Sequence, residues 1–400
     1  MKKFISILLG IIITTSCNNS KNPNEVGTKV VTSTDLPYHV DIEQNLTSTK
    51  SVPLSSIGKQ LEYIPLETNP NCMIERIEHI SFSEDFIFIA DYTKILQFDR
   101  KGKFLRQIGA NGRGPGEYIG ITGFCIDKKN RKVFVNQCNA GCEILEYDFN
   151  GSFIKSFNQP WRSYQFIVYD TTGIIFYLTH DNDSTVYSKY NFYITDYESN
   201  PVYKIKRHFI RKSNIAARLI PLYYFNNILH FKQYTVDTLY TLENEKPKPY
   251  AIFKLGKSKL DPNIMFDGRN PNVAQMIKEI ANYFEISKIL ENENYLFTNI
   301  AFGVADSSKH CIFNKQSAET TIIEDVGFKN DIDAGIRFWP KYIYNDSILI
   351  DYVDAFKFLS MLKNGESNSS KGEANNRIDK LEILKMNLTE SSNPILIVLR

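Results

Sequence analysis

The sequence predicts an all-β fold, a β-propeller of six blades, and two observations support this prediction. The first is an internal repeat: residues 95–105 (ILQFDRKGKFL) return 49 residues later as residues 144–154 (ILEYDFNGSFI). Each copy reads as strand, tight turn and strand, with Asp opening the turn and Gly placed for a positive φ. The second is the abundance of strand-forming aromatic residues, 23 Tyr and 27 Phe. Repeats of this length built from several strands are typical of propeller blades, which need neighbours to cover both apolar faces.

The N-terminus predicts an exported protein. Lys2 and Lys3 precede an apolar run over residues 4–13 (FISILLGIII), and the small residues 14–16 precede Cys17. The run is too short to span a bilayer comfortably, so residues 1–17 are predicted to be a signal peptide. Cys17 after small residues resembles a bacterial lipobox, which implies lipidation of its thiol and stable membrane anchoring by the acyl chains, palmitate among them. Ordinary secretion, with Cys17 lost or free, is the alternative.

Composition sets the domain organisation. Residues 18–50 begin with a polar stretch without hydrophobic period and are predicted to be a flexible tether, and residues 51–400 the propeller. The hydrophobic fraction of 42% and charged fraction of 23% are those of a globular protein. A net charge of +2 without a long basic run argues against a nucleic-acid partner.

Six cysteines leave five once Cys17 is set aside, so they cannot all be paired with one another. Cys138 and Cys142 are four residues apart in a predicted loop, and either a local disulfide or two free thiols fits that spacing. No further Cys or His stands at the spacing of a zinc site, and none is predicted.

The predicted strands follow the chain in six groups. Residues 61–66 contain Pro65 and therefore suit an outer strand, while the uninterrupted apolar run at residues 86–90 suits an inner one. Later strands are predicted in pairs, one pair for each of the last four blades: 174–178 with 191–196, 227–231 with 236–242, 295–300 with 310–314, and 347–352 with 356–361.

Two helices are predicted beside the blades. Residues 272–284 have apolar residues at helical spacing and predict a short helix inserted between the fourth and fifth blades. Ile378, Leu381, Leu384 and Leu388 predict a C-terminal helix that ends before Pro394. Residues 395–399 (ILIVL) then form a last strand, expected beside residues 61–66, so that both chain ends close the ring.

These features together resemble the six-bladed β-propeller lipoproteins of Bacteroides-type bacteria, distant relatives of NHL-repeat propellers. The resemblance rests on Cys17 and on motifs along most of the chain: 64–67 (IPLE), 98–99 with 102–105, 112–118 (GRGPGEY), 237–240 (DTLY) and 393–394. It implies the fold and a lipid-anchored place in the cell envelope at the outer membrane, on either its periplasmic or its outer side. It implies no activity.

The glycine-rich segment supplies the candidate ligand-binding residues Arg113, Glu117 and Tyr118. Its four glycines, at positions 109, 112, 114 and 116, expose backbone N–H groups that could donate hydrogen bonds to an anion. No helix pattern and no Lys-Ser/Thr pair follow, as they would in a nucleotide-binding loop. A tight connection between blades, with Arg113 or Glu117 tying the blades together, is the alternative. In either case we expect these residues near a channel mouth.

Catalytic patterns are sparse, and no catalytic or metal-binding residue is assigned. The six His stand at no metal spacing, residues 180–183 (HDND) read as a polar hairpin tip, and the Gly-x-Ser-x-Gly esterase motif is absent. Some six-bladed propellers are calcium-dependent lactonases that use Glu, Asn and Asp from several blades. Asp85, Asp127 and Asn136 are the candidates for such chemistry, and Ca²⁺ is the one cofactor considered.

The predicted function is therefore a non-catalytic binding or interaction module that recognises a glycan, a peptide or an envelope protein. Trp161, Tyr164 and Trp339 are candidates for stacking on sugars, with burial between blades as the alternative for both Trp. A calcium-dependent lactonase or related hydrolase is the alternative function, and a scaffold for envelope assembly is the third.

Overall fold

A computed structural model of the chain describes residues 36–138, 141–169, 172–178, 186–187, 189–208, 220–259, 261, 278, 281, 283–302, 308–324, 327–363 and 375–400. Six four-stranded antiparallel units are arranged as the blades of a propeller. Three strands precede the first blade in the chain: β1 (Tyr38–Asp41), β2 (Thr49–Lys50) and β3 (Leu61–Pro65).

The first three blades follow one another without interruption of the strand order. Blade 1 comprises β4 (His79–Phe82), β5 (Phe86–Ala90), β6 (Ile95–Asp99) and β7 (Phe104–Ile108). A small parallel pair, β8 (Ala110–Asn111) and β9 (Glu117–Tyr118), leads to the next blade. Blade 2 comprises β10 (Gly123–Asp127), β11 (Lys132–Cys138), β12 (Cys142–Asp148) and β13 (Phe153–Gln159). Blade 3 comprises β14 (Ser163–Tyr169), β15 (Gly173–Leu178), β16 (Tyr190–Asp196) and β17 (Pro201–Lys206).

The remaining blades complete the ring. Blade 4 comprises β18 (Leu222–Phe225), β19 (Ile228–Lys232), β20 (Thr238–Glu243) and β21 (Lys246–Lys254). Blade 5 comprises β22 (Phe284–Glu291), β23 (Tyr295–Phe302), β24 (Ser308–Asn314) and β25 (Glu319–Ile323). Blade 6 comprises β26 (Tyr342–Tyr344), β27 (Ile348–Val353), β28 (Ile395–Leu399) and, as its fourth strand, β3.

The ring closes by pairing the two ends of the chain, as the sequence predicts. In the antiparallel pairing of β28 with β3, Ile395 lies opposite Pro65 and Leu399 opposite Leu61. Pro65 is tolerated there because β3 is an outer strand, where a missing N–H donor breaks no second ladder. Unfolding of blade 6 therefore requires separation of strands from both ends of the chain.

The N-terminal segment belongs to the propeller from residue 38 onward, which corrects the predicted tether (residues 18–50) over residues 38–50; residues 18–35 lie outside the described residues. Strand β1 pairs in parallel with β21, and β2 pairs in parallel with β25, so each adds a fifth strand to a blade. Val40 and Ile42 are fully buried against blades 4 and 5. The segment is polar in composition, but these two buried apolar side chains attach it to the blades.

Two helices lie between the second and third strands of blade 6: α1 (Ala355–Lys363) and α2 (Asn375–Met386). The prediction of a strand over residues 356–361 is wrong, because Ala355, Phe358 and Leu359 lie at helical spacing and are buried whereas Phe356 is exposed. The C-terminal helix is confirmed by α2. The helix predicted over residues 272–284 falls mostly outside the described residues, and its last residue, Phe284, begins β22 instead.

None of the helices in the described part of the chain has both the length and the apolar composition that a membrane span requires.

The core lies in the seams between blades, where apolar side chains of neighbouring sheets interlock. Between blades 1 and 2, for example, Phe88, Val133 and Tyr147 are fully buried in one cluster. Each such side chain contributes roughly 1.5–3 kcal/mol to stability by leaving water. Hydrogen bonds also cross this seam: the Gln97 amide donates to the Phe149 carbonyl at 2.9 Å.

Cys138 and Cys142 form a disulfide across the tip of the β11–β12 hairpin, whereas Cys72, Cys125 and Cys311 are buried free thiols. We expect the free energy of unfolding of the double variant Cys138→Ser, Cys142→Ser to be about 1–2 kcal/mol lower than that of the wild type. The effect is modest because a disulfide that closes a short loop restricts the unfolded chain only a little. Urea unfolding with and without dithiothreitol measures this. The assignment would be contradicted if dithiothreitol left the stability of the wild type unchanged, or if it lowered the stability of the double variant.

Candidate functional site

The two ends of the propeller differ in the length of their connections. Turns that join the first strand of a blade to the second, or the third to the fourth, contain two to four residues. We call the end that carries them the lower face and the opposite end the upper face. Upper connections vary more in length, from three residues between β11 and β12 to residues 354–394 between β27 and β28, and all the long connections lie at this end. Recognition in propellers and other rigid scaffolds is generally carried by long connections, so the upper face is the candidate.

The first strands of the blades surround the central channel. Strand β10 contacts both β4 and β14, and β22 contacts β26, which places the first strands of successive blades side by side. At the lower end the turns of blades 4 and 6 meet, because the Asn226 N–H donates to the Asp346 carboxylate at 2.9 Å. Lys128 lies over the Tyr344 ring at 4.9 Å at the same end. The lower end is thus occupied by structural contacts.

At the upper end, charged and aromatic side chains from blades 5, 6 and 1 gather around the channel. We call this group the mouth cluster. Its members are Arg76, Glu78 and His79 at the start of blade 1, Tyr92 in the turn after β5, Lys288 on β22, Lys341 and Tyr342 at the start of blade 6, and Asp351 and Tyr352 on β27.

Two lysines form the centre of the mouth cluster. Lys341 Nζ pairs with Asp351 at 2.7 Å, donates to the Tyr352 carbonyl at 2.7 Å, and lies 4.1 Å from the Tyr352 ring centroid. Lys288 Nζ donates to the backbone carbonyl of Lys341 and lies 4.7 Å from the Tyr342 ring centroid. Blade 5 is thereby joined to blade 6 through the cluster.

Blade 1 supplies the outer edge of the mouth cluster. Arg76 pairs with Glu78 and donates to the Tyr92 hydroxyl at 2.7 Å. Tyr92 is 58% exposed and lies in the upper turn between β5 and β6. An exposed aromatic ring beside a cation is a suitable contact surface for a ligand with both apolar and polar atoms.

The electrostatics of the mouth cluster are governed by Lys288. Burial, together with the neighbouring charge of Lys341, lowers the pKa of Lys288 to about 8. Burial also lowers the pKa of His79, and the charge of Lys288 lowers it further. Near neutral pH the site therefore holds Lys288 as a cation beside a neutral His79.

Lys288 differs from the other lysines enclosed by the blades. Lys232 pairs with Glu285, and Lys315 pairs with Glu291 at 2.6 Å. Within the described residues Lys288 has no ion pair of its own, and the carboxylate that acts on it, Asp351, is already paired with Lys341. A charged group held in a protein interior without a counter-charge is costly, and such groups are concentrated at functional sites.

The structure places Arg113, Glu117 and Tyr118 elsewhere, in the seam between blades 1 and 2. Tyr118 is 0% exposed, and its hydroxyl donates to the Ile108 carbonyl at 2.8 Å. The segment packs on the third and fourth strands of blade 2, since the Tyr147 hydroxyl donates to the Gly116 carbonyl at 2.9 Å. Gly116 has φ +74° and its Hα side faces the Phe153 ring, so the motif requires glycine there for a structural reason. A ligand-binding role for the three residues stays a prediction.

We expect Glu117→Gln to lower the free energy of unfolding by about 1–2 kcal/mol while ligand or partner binding is unchanged. Glu117 Oε2 accepts the Gly114 N–H at 2.8 Å, and a charged acceptor strengthens that bond. Chemical unfolding measures the effect, and Glu84→Gln, at an exposed position in the turn between β4 and β5, is the control. If Glu117→Gln instead lost binding while its stability stayed unchanged, Glu117 would be a ligand-binding residue.

The other predicted positions do not converge on one site. Trp161 and Trp339 are buried, so packing between blades, the alternative to sugar stacking, holds for both. Asp85 pairs with Arg131 at 2.9 Å, Asp127 accepts the Tyr197 hydroxyl at 3.0 Å, and the Asn136 amide donates to the Ser163 carbonyl. Among the residues the structure describes, no three His, Cys, Asp or Glu lie close enough to hold a metal ion. Cys17, residues 180–183 and the Tyr164 side chain lie outside the described residues.

Sequence reasoning missed the mouth cluster because its members are scattered over more than 270 residues, from Arg76 to Tyr352. Lys288 lies between Ile286 and Ile289 in β22, but Glu285 and Glu291 in the same strand are also charged, so no local signal marked it.

A family model described as "Domain of unknown function (DUF4934)" matches residues 37–400. The chain belongs to the DUF4934 family. Among solved structures, a Bacteroides fragilis protein described as a candidate exported protein is similar to this DUF4934 chain with 19% identity and a TM-score of 0.73, covering 91% of this chain and 99% of its own. A Bacteroides vulgatus member of the DUF4221 family shares 14% identity at a TM-score of 0.47, covering 67% of this chain and 84% of its own. No curated protein matches the chain.

These similarities bear on the fold alone. The Bacteroides fragilis structure spans nearly the whole chain, and at 19% identity it supports the six-bladed architecture and no ligand. For this DUF4934 protein, function therefore has to be argued from the site.

Proposed function

We propose that this DUF4934 protein is a non-catalytic binding module of the cell envelope that engages a glycan, peptide or protein partner at the upper mouth of its channel. The observation that carries the proposal is the mouth cluster, in which three blades bring cations and tyrosines together on the face with the long connections. The rigid ring holds these groups in place at little entropic cost on binding.

The chemistry of the mouth cluster favours binding over catalysis. Its carboxylates are engaged, since Asp351 pairs with Lys341 and Glu78 with Arg76. The tyrosines lie in structural contacts, and burial raises the pKa of Tyr342 far above the range in which it would serve as a base. Cationic and aromatic groups in fixed positions supply recognition.

Attachment to the envelope completes the proposal. Lipidation of Cys17 would anchor the protein at the outer membrane, as the lipobox-like sequence and the exported description of the Bacteroides fragilis neighbour support. Globomycin treatment of cells tests the anchor. Failure of an unprocessed precursor to accumulate would contradict lipidation and leave the propeller proposal unaffected.

Affinity capture of the tagged full-length protein from membranes in mild detergent, read by mass spectrometry, tests the binding proposal. We expect a specific protein or glycan to be retained by the wild type and lost with the double variant Arg76→Ala, Tyr92→Ala. Arg106→Ala, on the exposed outer strand β7, is the matched control and should retain it. Equal retention by all three proteins would contradict binding at the mouth.

A further inference from the structure

The positive charge of Lys288 has no matching carboxylate in the described part of the propeller, whereas three other lysines of the blades each have one. Lys232 has Glu285, Lys315 has Glu291, and Lys341 has Asp351. Lys288 has a backbone carbonyl and a tyrosine ring. Lys288 is partly exposed, so it is not completely closed off from solvent.

The groups around Lys288 favour an anion over a cation or a neutral polar group. Lys341, from the segment before β26, adds a second positive charge, and its effect on Lys288 is strong enough to lower the pKa of that lysine. His79, on β4, lies close enough for the charge of Lys288 to act on it. Asp351, on β27, is the opposing charge and is neutralised by Lys341. The local balance leaves one uncompensated positive charge.

One uncompensated charge matches a monoanion. A phosphate dianion is normally held by a guanidinium fork or by several backbone N–H groups, and Arg76, the guanidinium of the cluster, is already paired with Glu78. A carboxylate needs a single counter-charge. The lysines lie over the rings of Tyr342 and Tyr352, and the exposed Tyr92 at the edge offers an apolar face of the kind that packs on sugar rings.

We propose that the mouth cluster binds the carboxylate of an acidic sugar, with Lys288 Nζ as its counter-charge. This inference rests on the proposed binding function and names the ligand class. On binding, the carboxylate takes the position of the missing counter-ion, and the exposed Tyr92 ring packs against the sugar. Because the bound anion favours protonated Lys288, affinity is linked to pH: it falls above the pKa of about 8, by roughly tenfold for each pH unit.

Isothermal titration calorimetry of the full-length protein in detergent tests the proposal, with D-glucuronate as the probe and D-glucose as the neutral comparator at matched ionic strength. We expect glucuronate to bind at least tenfold more tightly than glucose at pH 7. Lys288→Met should abolish that preference, and Lys248→Met, an exposed lysine on β21, should keep it. Melting temperatures of both variants establish that they are folded.

The wild type alone provides a second readout in case Lys288→Met does not fold. Glucuronate affinity should decline between pH 7.5 and 9.5 while glucose affinity stays constant. Equal affinity for both sugars, a preference retained in Lys288→Met, or a flat pH profile would overturn the carboxylate assignment. L-glutamate binding as tightly as glucuronate would assign the site to an acidic peptide, and inorganic phosphate binding more tightly than both would assign it to a dianion; either would overturn the sugar.

The outcomes separate this inference from the proposed function. If affinity capture retains a partner that Lys288→Met still binds, the binding module stands and the acidic-sugar inference fails. If glucuronate binds at Lys288 and no partner is captured, the inference stands and a macromolecular partner at the mouth is excluded.

Discussion

Glu291→Ala should lower the free energy of unfolding by about 3–5 kcal/mol, the largest effect we expect of any single substitution. Glu291 is buried at the end of β22, in the seam between blades 4 and 5. Its carboxylate accepts the Tyr223 hydroxyl at 2.7 Å and pairs with Lys315 at 2.6 Å. The Tyr250 hydroxyl is a further donor to it. Removal of the carboxylate leaves the buried Lys315 ammonium without its counter-charge and two hydroxyls without their acceptor.

Chemical unfolding of three variants tests this account of the seam. Glu293→Ala, two residues along and exposed, is the control and should change stability by less than about 0.5 kcal/mol. The double variant Glu291→Leu, Lys315→Met removes both charges together and should recover part of the loss, since apolar replacements of buried pairs are often tolerated. A Glu291→Ala protein within about 1 kcal/mol of wild type would show that water replaces the carboxylate in this seam.

Acidification from pH 6.5 to pH 4 should destabilise the protein by about 3 kcal/mol through His310 alone. The His310 ring is buried and stacks on Trp339 with 4.1 Å between centroids. Burial, with a smaller effect of the Lys341 charge, lowers its pKa to about 4. The unfolded chain takes up the proton near pH 6.5 and the folded chain only near pH 4. Stability is therefore complete above pH 6.5, falls as the pH decreases, and levels off below pH 4.

Comparison of wild type with His310→Phe isolates this contribution, because other titrating groups affect both proteins equally. Phe preserves an aromatic ring against Trp339 and cannot take up a proton. The free energy of unfolding, measured in urea at several pH values, should fall less steeply for His310→Phe over this interval. Parallel profiles for the two proteins between pH 6.5 and pH 4 would contradict the assigned pKa.

The ring and its closure were predictable from sequence because both rest on local patterns. The 49-residue repeat, the apolar run at residues 86–90 and the paired terminal strands each reflect a strand that has to be buried. The strand prediction for residues 356–361 was wrong because two patterns overlap there. Phe356 and Phe358 alternate as in a strand, while Ala355, Phe358 and Leu359 lie along one side of a helix. Only the packing of Phe358 into the core decides between the two.

The site was not predictable for a physical reason. A glycine-rich motif stands out in a sequence, yet here positive φ and the close approach of Phe153 account for Gly116. The mouth cluster has no motif, since Lys288, Lys341 and Glu78 meet only when the ring closes. Lys288 combines the lack of an ion pair among the described residues with a pKa lowered by burial, and this is a property of the assembled blades.

Photo-cross-linking at the channel mouth tests the central claim most directly. Replacement of Tyr92 by p-benzoylphenylalanine places a reactive group on the upper face, and the same replacement of Val202, 59% exposed on the outer strand β17, serves as the control. After irradiation of cells, we predict a specific protein or glycan adduct from position 92 and none from position 202. An adduct from position 202 without one from position 92 would contradict binding at the mouth of the channel.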